Sequence, residues 1–407
     1  MTVISIFTSA FCQADQVVDA ISKKTGYRVV TDKNIVNRAA EACEIEEAKI
    51  AKAFSSKTSL FNKFTHEKDL SIACLKMGVS DVLGDDELIV YGHSAMLIPR
   101  SISHVLRACI VAERGFRKSL ALRQNGLGEK EAEKLIQSSD HECSAWIERL
   151  YGKADPWDAS LYDLVIPTKR LSVEEAVELI IENLGKTVVK TSARSKKAVK
   201  DFQLSSKVEE ALYREGHDVD VAADDGNLTL TINKHVLLLS RLEEELKSIC
   251  SAITGVRSVT TKVGEGYYQA DIYRKYDFKV PSKVLLVDDE REFVQTLSER
   301  LTMRDMGSAV AYDGESALEL IHEDEPEVMV LDLKMPGIDG IEVLRRVKKE
   351  RPDIEVIILT GHGTESDRKT CMELGAFAYL QKPVNIDLLS DSLRKANDKI
   401  QAKKKDG

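Results

Sequence analysis

Between residues 283 and 400 the chain alternates five times between a short apolar run and a stretch of helical periodicity. The runs are "KVLLVD", "SAVAY", "EVMVLDL", "IEVIILT" and "AFAYL". No other feature restricts the fold as strongly. Strands joined by helical crossovers pair in parallel, and a parallel sheet must be covered on both faces. The runs are nearly continuous in apolarity, as burial on both faces requires. Residues 283–400 are therefore expected to form a doubly wound (βα)5 sheet, whose ligands bind at the carboxyl ends of the strands.

Those ends carry a specific set of side chains. The first run ends in Asp288-Asp289, the third in Asp332 and the fourth in Thr360, and the fifth leads into Lys382-Pro383. Carboxylates converging on one sheet edge repel each other unless a cation lies among them, and hard oxygen donors suit Mg²⁺. A lysine and a hydroxyl beside them suit the oxygens of an incoming phosphoryl group. The central aspartate is then a nucleophile able to form an aspartyl phosphate. Any one of these residues alone reads as a solvated loop side chain; five at matching strand ends do not.

The motifs "LLVDDE", "VLDLKMPGIDG", "ILTGHG" and "YLQKP" together resemble the response-regulator receiver domain over essentially all of 283–400. The resemblance implies a flavodoxin-like fold with Asp332 as phosphoacceptor. It implies Mg²⁺ held by Asp288, Asp289, Asp332 and the main-chain carbonyl of Lys334. Lys382 would contact the phosphoryl group, Thr360 and Tyr379 would be the switch residues, and the Lys382–Pro383 bond would be cis. The phosphoryl donor would be a sensor histidine kinase, a phosphotransfer protein or a small acyl phosphate. His362 reads as a solvent-exposed loop histidine.

Ahead of this region, composition breaks the chain at "TSARSKKAVK" (191–200) and "KYDFKVPSK" (275–283), both read as linkers. Three units result: 1–190, 201–274 and 283–400. The start, "SIFTSAFCQADQVVDAISKKTGY" (5–27), reads as strand, tight connection and helix, with no glycine before Gly26. Its apolar stretch fits a buried first strand better than a signal peptide, since it lacks a basic leading segment. "ELIVYG" (87–92) and "HVLRACIVA" (104–112) read as buried strands, and Ser172 with Glu175 forms a capping box that starts a helix.

The block 126–180, together with the ending of "SKKTGYRVVTDKNIV" (22–36) and "LIVYGHSAML" (88–97), resembles the cytidylate kinase-like family. That resemblance covers most of residues 1–185 and implies a P-loop nucleoside monophosphate kinase fold. The chemistry positions depart from the pattern. The glycine-rich loop falls on Phe11, Cys12, Gln13 and Ala14, whose side chains would crowd the space where backbone N–H groups close around phosphates. The family's Gly-Arg-Gly reads Gly92-His93-Ser94. Arg117 matches an expected arginine, but Leu120, Gln137 and Cys143 stand where further arginines belong; Asp140 remains. Phosphoryl transfer rests on positioning and charge stabilisation, so kinase activity is expected to be lost. Residues 201–274 resemble a BON-type αββαβ module through "VEEALYREG", "VAADDGNLTLTI" and "ITGVRSVTTKV", with a hairpin turned at Asp225-Gly226. That module implies a binding role.

The resulting expectation is a cytoplasmic α/β multidomain response regulator. It would be phosphorylated on Asp332 with Mg²⁺ and would couple a phosphorelay to N-terminal modules that do not bind DNA. The alternative is a receiver-regulated cytidylate kinase. A net charge of −9 argues against nucleic acid as a partner, and no apolar run of about 18 residues spans a membrane. The output partner is a protein left unnamed, and homodimerisation is left open. His66, His93 and His141 lack the helical context of a phosphotransfer histidine, and His104 reads as a strand start. The seven cysteines form no C-x-x-C pair and read as buried or idle thiols.

Overall fold

The computed structural model describes residues 2–56, 67–85, 87–233, 239–264, 267, 283–302, 304, 306–361 and 363–406. His66, His362 and the greater part of the expected 275–283 linker lie outside the described residues. The chain forms two compact units, one holding most of residues 1–273 and the other residues 274–407.

In the first unit a parallel sheet is built from β1 (Val3–Thr8), β2 (Arg28–Thr31), β3 (Leu88–Tyr91), β4 (Val105–Val111) and β5 (Leu164–Pro167) in the order β2-β3-β1-β4-β5. Side chains alternate across a strand, so β1 feeds both faces. Val3 and Phe7 enter a core beneath α2 (Asp32–Cys43), the short α3 (Glu47–Ala51), α4 (Glu67–Val82) and, after α5 (Arg114–Asn125), α6 (Glu129–Tyr151). Ile4 and Ile6 enter a second core beneath α1 (Ala14–Thr25) and α7 (Val173–Leu184). The Ser172–Glu175 capping box is present: the Ser172 backbone N–H donates to Glu175 at 2.8 Å, and the Glu175 N–H donates to Ser172 Oγ.

The same unit continues through α8 (Ala193–Arg214), β6 (Asp220–Asp224), β7 (Asn227–Ile232), α9 (Leu239–Ser251) and β8 (Ser258–Val263), an αββαβ order. β6 and β7 are antiparallel, turned at Asp225 and Gly226, which both take positive φ, while β7 and β8 are parallel. Among the described residues, one face is packed against helices. Leu228, Leu230 and Ile232 pack on Val208, Leu212, Leu242 and Leu246, while Thr229 and Thr231 alternate with them. The basic stretch 191–200 is not a linker: residues from Ala193 onward are the first turns of α8. Alanine and lysine are good helix formers, and the Ser195 N–H donates to Ser192 Oγ while Ser195 Oγ accepts from the Ser192 N–H, starting the helix. Val199 and Phe202 then pack into the core under β1.

Two cysteines also correct the reading of idle thiols. Cys43 and Cys74 form a disulfide between α2 and α4, whereas the other five are free and buried.

The second unit is a five-stranded parallel sheet of β9 (Val284–Val287), β10 (Ser308–Ala311), β11 (Val328–Leu331), β12 (Glu355–Thr360) and β13 (Ala378–Gln381), ordered β10-β9-β11-β12-β13. This is the 2-1-3-4-5 order of flavodoxin-like sheets. Leu285, Met329 and Ile358 face one core; Leu286, Val330 and Ile357 face the other. The flanking helices are α10 (Arg291–Thr302), α11 (Gly314–Glu323), α12 (Gly340–Glu350), α13 (Glu365–Glu373) and α14 (Ile386–Asp406). Among the described residues, no helix is long and apolar enough to cross a membrane.

Candidate phosphoacceptor site

Parallel register brings the ends of β9 and β11 side by side, with Val287 opposite Leu331. The residues immediately following, Asp288 and Asp332, therefore meet. Carboxylate oxygens of Asp288, Asp289 and Asp332 lie within 4.8 Å of one another, with Asp288 and Asp332 buried and Asp289 exposed. Lys382, one residue past β13, reaches into this cluster. Its Nζ is 2.7 Å from Asp288 Oδ2 and 3.1 Å from Asp332 Oδ2. Asp332 Oδ1 accepts from the backbone N–H groups of Leu333, at 2.6 Å, and Lys334, at 3.3 Å. One oxygen of the central carboxylate is thus anchored by the backbone, and the other is turned to the lysine.

The electrostatics follow from burial. Burial raises the Asp288 pKa, aided by the nearby Asp332 charge and opposed by Lys382. Burial alone would lower the Lys382 pKa, but hydrogen bonds to Asp288, Glu290 and Asp332 outweigh it and raise it. Among the described residues, Lys382 is the cation ion-paired with Asp288 and Asp332. A pocket of crowded hard oxygens fits Mg²⁺ by donor chemistry, since a divalent ion would offset the repulsion that one ammonium only partly offsets.

Thr360 is fully buried at the end of β12, and Tyr379 lies in β13. The Tyr379 hydroxyl is buried beside Gly363, where an added Cβ would stand 1.7 Å from it. The Lys382–Pro383 bond is cis. Sequence reasoning missed two neighbours of Lys382. Glu290 accepts from its Nζ at 3.0 Å, and the Phe293 ring lies 4.5 Å below it. The third acid of "DDE" was a visible signal for Glu290; Phe293, one helical turn on, had none.

The kinase-like sheet has its own polar cluster. Phe11 and Gln13 sit at φ 60° and 57°, so the connection after β1 takes left-handed backbone without glycine. Cys12 is buried in the core beneath α1, and burial raises its thiol pKa against the pull of Arg117. Arg117 is buried and internally satisfied. It donates to the Ala10 carbonyl at 2.8 Å, to both oxygens of Asp140 at 2.8 and 3.0 Å, and to Ser9 Oγ at 2.6 Å. Gly92-His93-Ser94 is likewise engaged from within: Asp32 accepts from the His93 and Ser94 N–H groups, each at 2.8 Å. Gly92 needs its φ of 120° and its missing side chain, because a Cβ would fall 2.3 Å from Asp32. Cys143 and His104 are buried, and burial pushes the Cys143 thiol up to about 12. Leu120 is buried as well. Gln137 lies on α6, where with His141 it lines an open surface groove.

Residues 284–394 match the response regulator receiver domain, and residues 3–170 match the cytidylate kinase-like family. The chain is 40% identical over 118 residues to "Probable transcriptional regulator ycf27" of Guillardia theta, covering 29% of this chain and 46% of that protein. It is 35% identical over 115 residues to "Response regulator MprA" of Mycolicibacterium vanbaalenii, covering 28% and 50%. The chain thus spans about half the length of these curated relatives. Among solved structures it resembles the signal receiver domain of a putative Luxo repressor protein from Vibrio parahaemolyticus, at 26% identity and a TM-score of 0.30, covering 31% of this chain and 95% of that one. It also resembles a response regulator receiver domain protein from Clostridium thermocellum, at 34% identity and a TM-score of 0.29, covering 30% and 97%. The chain therefore carries a response regulator receiver domain at 284–394 behind a segment of the cytidylate kinase-like family at 3–170.

Proposed function

We propose that the protein is a cytoplasmic two-component response regulator phosphorylated on Asp332. The observation that carries this reading is the convergence of Asp288, Asp289 and Asp332 with Lys382 at one sheet edge. Asp332 Oδ2 attacks the phosphorus of a phosphohistidine on a sensor kinase or phosphotransfer protein, and the bond from phosphorus to the imidazole nitrogen breaks. Lys382 holds the charge accumulating on the phosphoryl oxygens. Asp288, Asp289, Asp332 and the Lys334 carbonyl are the groups that would hold Mg²⁺, which supplies charge neutralisation at those oxygens. Thr360 and Tyr379, flanking the site on β12 and β13, are the residues that would pass the change to the surface, a population shift of a few kcal/mol.

The output is read as protein contact through modules that do not bind DNA. A net charge of −9 and the kinase-like match at 3–170 support this. Residues 201–274 are assigned a BON-like binding role on their αββαβ order. The second reading, a receiver-regulated cytidylate kinase, rests on the same family match. Against it, Arg117 and the Gly92 turn already satisfy their hydrogen bonds with Asp140 and Asp32. Acetyl phosphate labelling of the full chain with Mg²⁺ tests the first reading: Asp332→Asn is expected to take up no label, and uptake at wild-type level overturns it. Turnover of ATP and CMP by the full chain would favour the second reading.

A further inference from the structure

The Cys43–Cys74 bridge lies where α2, α4 and α8 meet. The two sulfurs and a carboxylate oxygen of Glu210 lie within 4.8 Å of one another, and both cysteines are buried. Glu210 belongs to α8, the helix that carries the αββαβ module. Arg214, one turn further on, donates from Nε to Glu210 at 2.7 Å and from a terminal nitrogen to the Cys43 carbonyl at 2.7 Å. On the α4 side, Lys76 donates to Glu209 at 2.6 Å, and the Ser80 carbonyl accepts from Gln203 at 3.0 Å. Every polar tie of α8 named here ends within a few residues of one of the two bridged cysteines.

We infer that Cys43–Cys74 is a redox modification site whose state sets how firmly α8, and with it the αββαβ module, is held on the kinase-like sheet. Two thiols need more room than two bonded sulfurs, and the interior is close-packed. The added volume falls on Glu210 and on the Cys43 backbone, the two groups Arg214 clasps. Coupling is reciprocal: the docked helix covers the bridge and slows its reduction, and reduction loosens the helix. With a small dithiol as reductant, the Sγ–Sγ bond breaks and each cysteine takes one proton from the reagent. The dithiol, losing two electrons, closes its own ring disulfide. The same groups disfavour a metal reading, because Arg214 places a cation on the only carboxylate of the cluster.

Two measurements on the full-length protein test this. Thiol counting after unfolding under an alkylating quench should find five free thiols before reduction and seven after, with a peptide containing Cys43 linked to one containing Cys74. Seven thiols at the outset overturns the inference. Hydrogen exchange with and without dithiothreitol should then show amides of 205–214 exchanging about tenfold faster in the reduced protein, while 284–394 is unchanged. The Cys43→Ala/Cys74→Ala variant, which has no bridge to reduce, should exchange at the same rate with and without the reagent. Equal exchange of 205–214 in the two redox states of the wild type overturns the inference, whether or not the variant folds.

Discussion

Single residues in this protein are governed by whether a buried polar atom finds a partner. Asp32 accepts three hydrogen bonds from His93 and Ser94, including one from Ser94 Oγ at 2.6 Å. Burial alone would raise its pKa, but these contacts outweigh it and hold the carboxyl below its ordinary value. A carboxyl depressed in the folded state contributes stability that is complete above its unfolded value, near ~3.9, and is lost as pH falls through the folded value. Asp32→Asn is therefore expected to lose about 1–3 kcal/mol at neutral pH, with the gap to wild type closing in acid. Urea melts at pH 7 and pH 3 check this; an equal gap at both would refute it. Tyr379 is the opposite case, its hydroxyl buried without a hydrogen-bond partner among the described residues. Tyr379→Phe removes an unmet polar group and should raise receiver stability by up to about 1 kcal/mol, read from the denaturant midpoint. At this scale much of the receiver site was legible, because each of Asp288, Asp332 and Thr360 closes an apolar run that could only be a strand. Glu290 and Phe293 were not, since their role depends on where the Lys382 side chain comes to rest.

Elements were legible wherever one period dominated. Each of the five receiver runs became a strand, and Ser172 with Glu175 opened the helix their spacing promised. The miss at 191–200 came from reading a basic, polar stretch as a linker: lysines on one face of α8 are solvated, while Val199 and Phe202 on the other are buried. The bridge between α2 and α4 was beyond reach of spacing alone, because 31 residues separate its cysteines and only the fold brings their Cα atoms to 6.2 Å. Closing a loop of that length should stabilise the unit by about 3–4 kcal/mol on the chain-entropy account. Thermal melts of the first unit with and without dithiothreitol measure this, and an unchanged midpoint would show that the cross-link adds nothing.

For the whole molecule, two units with separate cores should unfold as two events. Whatever binds one native unit raises that unit's transition alone. Mg²⁺ at a hundredfold excess over its dissociation constant should stabilise the receiver by about 2.7 kcal/mol and leave the other transition in place. Calorimetry of the full chain checks this, with Asp288→Ala/Asp289→Ala expected to abolish the shift. A shift of equal size in the double variant would place the ion elsewhere. The sequence by itself determined the parallel sheet of 283–400 and the acids at its strand ends, because polarity period and crossover length leave few ways to bury such runs. Only the tertiary structure decided that Arg117 is clasped by Asp140, that Asp32 occupies the turn after β3, and that Cys43 meets Cys74. Each of those contacts joins residues from different elements, and their meeting is a consequence of packing that no local pattern encodes.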